Sequence, residues 1–199
     1  MQEIIIDDEF RLLLPPLDKV TYAWLEENIL THGCREPLVL WNGILIDGYN
    51  RYEISTKHDI PFNTVAMEFD SRDNVLIWIV STQVARRNLT PFQLSYYRGL
   101  HYNADKRVLK NEGGRNQFSE RNEVKVQKEP KPLDNSTATR LAAQYNVSRS
   151  TIKRDSQLAD AISAIGITSP AAKRDILAGK ARVSRKKLCE LSGAGRKRC

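Results

Sequence analysis

Leu38-Val39-Leu40-Trp41-Asn42-Gly43-Ile44-Leu45-Ile46-Asp47-Gly48-Tyr49-Asn50-Arg51 holds the turning points of the first half of the chain. Two short apolar runs, Leu38 to Trp41 and Ile44 to Ile46, flank Asn42-Gly43. That dipeptide is the strongest two-residue hairpin signal, because both central positions of the favoured turn need positive φ and Asn and Gly supply it at little cost. The pattern predicts a β-hairpin. Asp47-Gly48 breaks the second strand, and Tyr49 to His58 has the length of a helix, so the stretch reads as a strand, glycine turn, helix corner. Such a corner gathers free backbone N–H groups and the positive end of a helix dipole, which suits an anion, with Arg51 as its charge partner. A simple tight turn with Arg51 on the surface is the plainer reading.

On the N-terminal side, Asp18 caps a predicted helix whose apolar positions are Tyr22, Leu25 and Leu30, ending at Gly33, and Pro37 opens the first strand. On the C-terminal side, Pro61 stops the helix and Thr64 to Phe69 reads as a strand. Ser71 to Val84 carries Val75, Leu76, Ile79 and Val80 at helical spacing, and Thr90-Pro91 starts a helix through Phe92, Tyr96 and Leu100. From about Asn111 to Ser136 the chain becomes Gly-Gly, mixed charge and Lys-Glu-Pro-Lys-Pro, the composition of a flexible linker. An ordered loop gripping phosphates is the alternative.

Beyond it, Thr137 to Arg154 reads Thr-Ala-Thr-Arg-Leu-Ala-Ala-Gln-Tyr-Asn-Val-Ser-Arg-Ser-Thr-Ile-Lys-Arg. Two short helices that cross steeply need a small residue at their contact, supplied by Ala142. They also need a tight turn, supplied by Tyr145-Asn146, and an apolar plug, supplied by Val147. Ser148 caps the second helix, whose exposed start carries Arg149, Ser150, Thr151, Lys153 and Arg154, the chemistry of a recognition helix in a major groove. Arg149, Ser150 and Lys153 are the expected base readers; an ordinary helical hairpin with a solvated basic face is the competing reading. Ser169-Pro170 and Ser184 open two more helices, near 170 to 178 and 184 to 191, with Gly179 between them. Their Lys173, Arg174, Lys180, Arg182, Arg185, Lys186 and Lys187 are possible phosphate contacts, each more often a solvated charge.

Charge divides the chain in the same place as its motifs. Residues 1 to 85 contain 6 Lys+Arg against 14 Asp+Glu, a balance of −8; residues 86 to 199 contain 25 against 10, +15, and together they give the formal net charge of +7. A basic module attached to an acidic one is the composition of a protein that meets a polyanion through one part only. No apolar run among the 199 residues approaches the length of a membrane span, and Met1 to Phe10 lacks the features of a secretory signal, so a cytoplasmic protein is expected. Cys34, Cys189 and Cys199 are odd in number and widely spaced, pointing to reduced thiols rather than disulfides or a zinc site. His32, His58 and His101 are scattered, and the chain has no P-loop, HExxH or GxSxG.

Three segments carry a resemblance to a known family: Gly33-Cys34-Arg35-Glu36-Pro37-Leu38-Val39-Leu40, then Ile46-Asp47-Gly48-Tyr49-Asn50-Arg51-Tyr52, then Gln83-Val84-Ala85-Arg86-Arg87-Asn88-Leu89-Thr90-Pro91. In order and spacing they resemble the boxes of the ParB/sulfiredoxin-like superfamily, and with the helix pair that follows the similarity to ParB partition proteins covers roughly residues 5 to 160. The resemblance implies an α+β fold: a small mixed-sheet domain with a connecting helix over residues 1–110, a linker over 111–136 and an all-helical helix-turn-helix domain over 137–199. It further implies a nucleotide site, for CTP or ATP with Mg2+, at Gly33, Arg35, Gly48, Tyr49, Asn50, Arg51, Gln83, Arg86 and Arg87. The chain departs from the family at two points. Gly48-Tyr49-Asn50-Arg51 stands where the family has Gly-Glu-Arg-Arg, and Thr82-Gln83 where it has Glu-Asn, removing a carboxylate that would hold magnesium or orient water. The nucleophilic cysteine of the sulfiredoxin branch is replaced by Tyr49, and Cys34 lies in the wrong box.

The expected function is that of a ParB-like protein, a dimer that binds double-stranded DNA in plasmid or mobile-element partition or regulation, with the DNA contacts at Ser148, Arg149, Ser150, Thr151, Lys153 and Arg154. The rivals are a small-molecule kinase or nuclease of the same superfamily, with Asp47 or Glu53 as base, and a non-catalytic adaptor with a vestigial pocket.

Overall fold

The computed structural model describes residues 4–14, 16–85, 89–111, 136–181 and 183–191. Residues 112–135 of the expected linker, Arg86, Arg87, Arg182 and Cys199 lie outside these. The described residues form an α+β fold built on a three-stranded sheet and a larger helical layer. The hairpin forms as expected: β1 (Leu38–Trp41) and β2 (Ile44–Asp47) are antiparallel, and Asn42 and Gly43 both take positive φ. A bulge between Val39 and Leu40 shifts the register, pairing Val39 with Asp47 and Leu40 with Leu45. On the far side of β1 lies β3 (Thr64–Ala66), parallel to it, giving the order β2-β1-β3. The strand expected through Phe69 stops at Ala66, because β1 turns away at Asn42 and offers no further backbone; Trp41 Nε1 instead caps the exit by donating to the Phe69 carbonyl at 3.2 Å.

Around the sheet stand α1 (Asp8–Arg11), α2 (Lys19–His32), α3 (Tyr49–Lys57) and α4 (Arg72–Ala85). Asp18 caps α2 as read, with its carboxylate accepting from the Val20 and Thr21 amides, and Gly33 ends the helix at φ 76°. The apolar face of α2 is corrected by one position: Ile29 is buried and Leu30 is exposed, since Ile29 packs with Cys34 and Ile54 of α3. The short α1 carries no periodicity from which to predict it and is fixed by tertiary contacts, with Phe10 fully buried and Arg72 of α4 stacked 4.2 Å above its ring.

The helical layer comprises α5 (Pro91–Asn111), α6 (Thr137–Gln144), α7 (Arg149–Thr168), α8 (Pro170–Leu177) and α9 (Arg185–Leu191). A capping box starts α5, with Gln93 and Thr90 each bonding the other's amide through a side chain. Rather than the short helix expected after the turn, α7 runs for 20 residues. Its apolar face, Ile152, Leu158, Ala159, Ala161 and Ile162, continues past the stretch that identified it and is held against α5. The main core runs without a break from Phe10 and Leu13, through Ile46 and the α4 face Val75, Leu76, Ile79 and Val80, to Tyr96, Tyr97, Leu158, Ile176 and Leu188. The sheet module and the helical layer therefore share one interior, with α5 at its centre.

Candidate nucleic-acid interface

Ser136 caps α6 through the Thr139 amide, and α6 buries Ala138, Leu141 and Ala142. The helix stops at Tyr145, Asn146 adopts φ 51°, and the Val147 amide donates back to the Ala142 carbonyl at 2.9 Å. Asn tolerates the left-handed region better than other non-glycine residues, which is why it stands at this corner. Leu141, Ala142 and Ile152 close a small core of their own, with Tyr145 and Val147 packed on it.

Ser148 then caps α7, accepting from the Thr151 amide at 3.1 Å, and its hydroxyl lies 2.8 Å from Ser150 Oγ and 2.9 Å from Thr151 Oγ1. Ser148, Arg149, Ser150, Lys153 and Arg154 are all exposed, Thr151 is half-buried, and Arg154 Nε reaches back to the Ser150 carbonyl. The six residues expected at a DNA contact therefore share the first turn and a half of one helix. With Ser136 and Ala138 at the start of α6, Ser148, Arg149, Ser150 and Lys153 line an open cleft of about 530 Å³ in which two helix N-termini meet. Backbone N–H groups and the positive ends of both dipoles thus converge beside two cations, an arrangement that favours a polyanion.

The turn that holds this surface is tied to α5. Tyr145 Oη and His101 Nδ1 lie 2.6 Å apart, and Arg140 pairs with Asp105. Burial pushes the Tyr145 hydroxyl up to about 12 and holds the His101 imidazole below its ordinary value, so Tyr145 keeps its proton and His101 is neutral near pH 7. Asp155, fully buried on α7, accepts from Arg98 at 2.8 Å and from Arg185 at 3.2 Å, a cluster that no sequence pattern announced.

The residues expected around a nucleotide are placed differently. Gly48, at φ 97°, is the N-cap of α3, and a Cβ there would lie 2.7 Å from Leu38 Cδ2 and 3.0 Å from Arg51 Nη2. Arg51 folds back onto its own turn, donating to the Pro37 carbonyl at 3.2 Å and to Asp47 at 3.3 Å, with its Nε buried and unpartnered. Tyr49 is buried, its hydroxyl donating to the Leu45 carbonyl and its ionisation pushed up chiefly by burial. Gln83 is buried in α4, Asn50 is half-buried, Gly33 closes α2 and Arg35 is exposed. Among the described residues of that expected site, Arg51 is paired with Asp47, and Tyr49 and Gln83 belong to the interior. Nor is either proposed base free, since Glu53 accepts from Tyr22 at 3.2 Å and from Arg11 at 3.4 Å. Among the described residues no helix is long and apolar enough to cross a membrane.

No protein-family model matches the chain, and no curated protein matches it significantly. Solved structures do, among them two pNOB8-like ParB N-domain structures. One, a pNOB8-like ParB N-domain, is 15% identical, covers 98% of this chain and 94% of its own, and superposes with a TM-score of 0.50. The other, also a pNOB8-like ParB N-domain in a different form, is 22% identical, covers 94% of this chain and 74% of its own, and reaches 0.49. The first of these likenesses extends over sheet and helices alike, so the α+β fold expected from the three boxes is the fold found.

Proposed function

We propose that this protein binds double-stranded DNA in a sequence-selective way, with α6, the Tyr145–Val147 turn and α7 acting as a helix-turn-helix and α7 entering the major groove. The observation that carries the reading is the division of α7: Arg149, Ser150, Lys153 and Arg154 are exposed at its first turns while Ile152, between them in sequence, and Asp155, directly after them, are buried. A groove-reading helix needs this combination of a rigidly held inner face and a basic, hydrogen-bonding outer start. The charge of residues 86 to 199 supports it, as phosphate attraction supplies most of the sequence-independent affinity. With the ParB N-domain fold, the reading extends to a part in plasmid or mobile-element partition or regulation, as a homodimer that presents two α7 helices to half-sites one helical turn apart.

Two variants test the assignment. Arg149→Ala removes a base reader and is expected to cost about 1 to 3 kcal/mol on the preferred site while relaxing specificity at one position. Lys186→Ala, on α9, is expected to weaken all sequences alike and to lower the salt slope by about 1. Equal, sequence-blind losses from both would remove α7 from the role of reader.

A further inference from the structure

We propose that Asp155, gripped by Arg98 and Arg185, is a positioning residue that sets the rotation of α7 about its axis and hence which bases Arg149, Ser150 and Lys153 reach; the proposal rests on the reading of α7 given above. Asp155 sits two residues after Lys153 but points the opposite way, with no exposed side-chain surface. Its Oδ2 accepts from Arg98 Nε at 2.8 Å and lies 2.7 Å from Arg98 Nη2, while Oδ1 accepts from Arg185 Nη1 at 3.2 Å. Both guanidinium groups then donate to Ser95 Oγ, at 3.2 and 2.5 Å. Two guanidinium groups, from α5 and α9, thus converge on one buried carboxylate of α7, and Ser95 ties the two together.

The surroundings explain why such a clamp matters. Elsewhere the inner face of α7 is smooth: Ala159 and Ala161 alternate with Leu158 and Ile162, and apolar contact of this kind is not directional. Gly99 of α5 brings the two backbones so close that a Cβ there would lie 2.0 Å from the Asp155 carbonyl oxygen. Charged hydrogen bonds at that point of closest approach are directional, and a helix rotated away from them loses them together. One turn further, Asn103 links the same two helices through its amide, donating to the Asp160 carboxylate at 2.8 Å and accepting from Ser156 at 2.6 Å. A buried ion cluster adds little stability over well-packed apolar residues of similar volume, so its contribution is sought in the uniqueness of the arrangement.

The test compares wild type with Arg98→Met/Asp155→Leu, which replaces the clamp by apolar side chains, and with Arg185→Gln, which leaves the Arg98 pair in place and changes a residue that is about half exposed. A duplex site is first selected from a random pool with wild-type protein, and each protein's affinity is measured for that site and for a scrambled duplex. The double variant is expected to lose about tenfold in the ratio of the two affinities, the order of one mismatched base pair, with unchanged affinity for scrambled DNA and unchanged salt slope. Arg185→Gln is expected to lose a smaller part of the ratio and serves as the test should the double variant not fold. Retention of the ratio by the folded variants, or equal loss on both duplexes, would overturn the positioning role while leaving α7 as reader. Failure of the wild type to select any sequence would overturn the reading itself, and this proposal with it.

Discussion

His101 shows how one side chain joins the long helix α5 to the turn between α6 and α7. It is buried on α5, faces Tyr145 through Nδ1, and has Asp105 and Arg140 as its charged neighbours, the first favouring the imidazolium and the second opposing it. Burial dominates and lowers its pKa. The unfolded chain therefore takes up a proton near pH 6.5 that the folded chain refuses, and stability contributed by the neutral imidazole is lost as pH falls from that value through the folded pKa. Urea unfolding at pH 7.5 and 5.5 checks this. Wild type is expected to lose more stability across the interval than His101→Gln, which keeps a partner for Tyr145 without titrating; equal losses would show that His101 is not the group responsible.

At the scale of elements, the contact of α5 with α7 governs the helical layer. Gly99→Ala would improve the intrinsic helix propensity of α5 by roughly 1 kcal/mol, yet its Cβ would meet backbone at Asp155, which cannot move as a side-chain tip does. Separation of the helices is expected to win, for a net loss of about 2 kcal/mol or more in denaturant unfolding. A stabilised variant would show that the two helices are not packed this closely.

Legibility in the sequence also follows from elements. The hairpin, the Gly48 corner, the Asp18, Ser148 and Ser169 caps and the α4 apolar face are local chemistry, and each lies where its residues place it. The full length of α7, the burial of Tyr49 and Gln83 and the pairing of Asp155 depend on what packs against them from other elements, and no pattern within an element carries that. At the interface, the exposed residues of α7 were readable from their spacing, whereas Arg98, His101 and Arg185, which hold that helix from behind, look in sequence like ordinary surface charges.

The whole molecule combines an acidic N-terminal region with a basic C-terminal one around a continuous core. That continuity makes α5 a shared support, so the orientation of α7 is fixed relative to the sheet and not only to α6. It also frames the nucleotide question: with Arg51 tied to Asp47, calorimetric titration of CTP or ATP with magnesium is expected to show no saturable binding at the Gly48 turn. Binding abolished by Arg51→Ala would contradict that.

Selection from a random duplex pool by the full chain, near physiological salt, measures whether α7 reads DNA sequence. One recurring site is expected, with binding that weakens steeply as salt rises and a preference at one position that disappears when the selection is repeated with Arg149→Ala. A bound pool that stays random in sequence would contradict it.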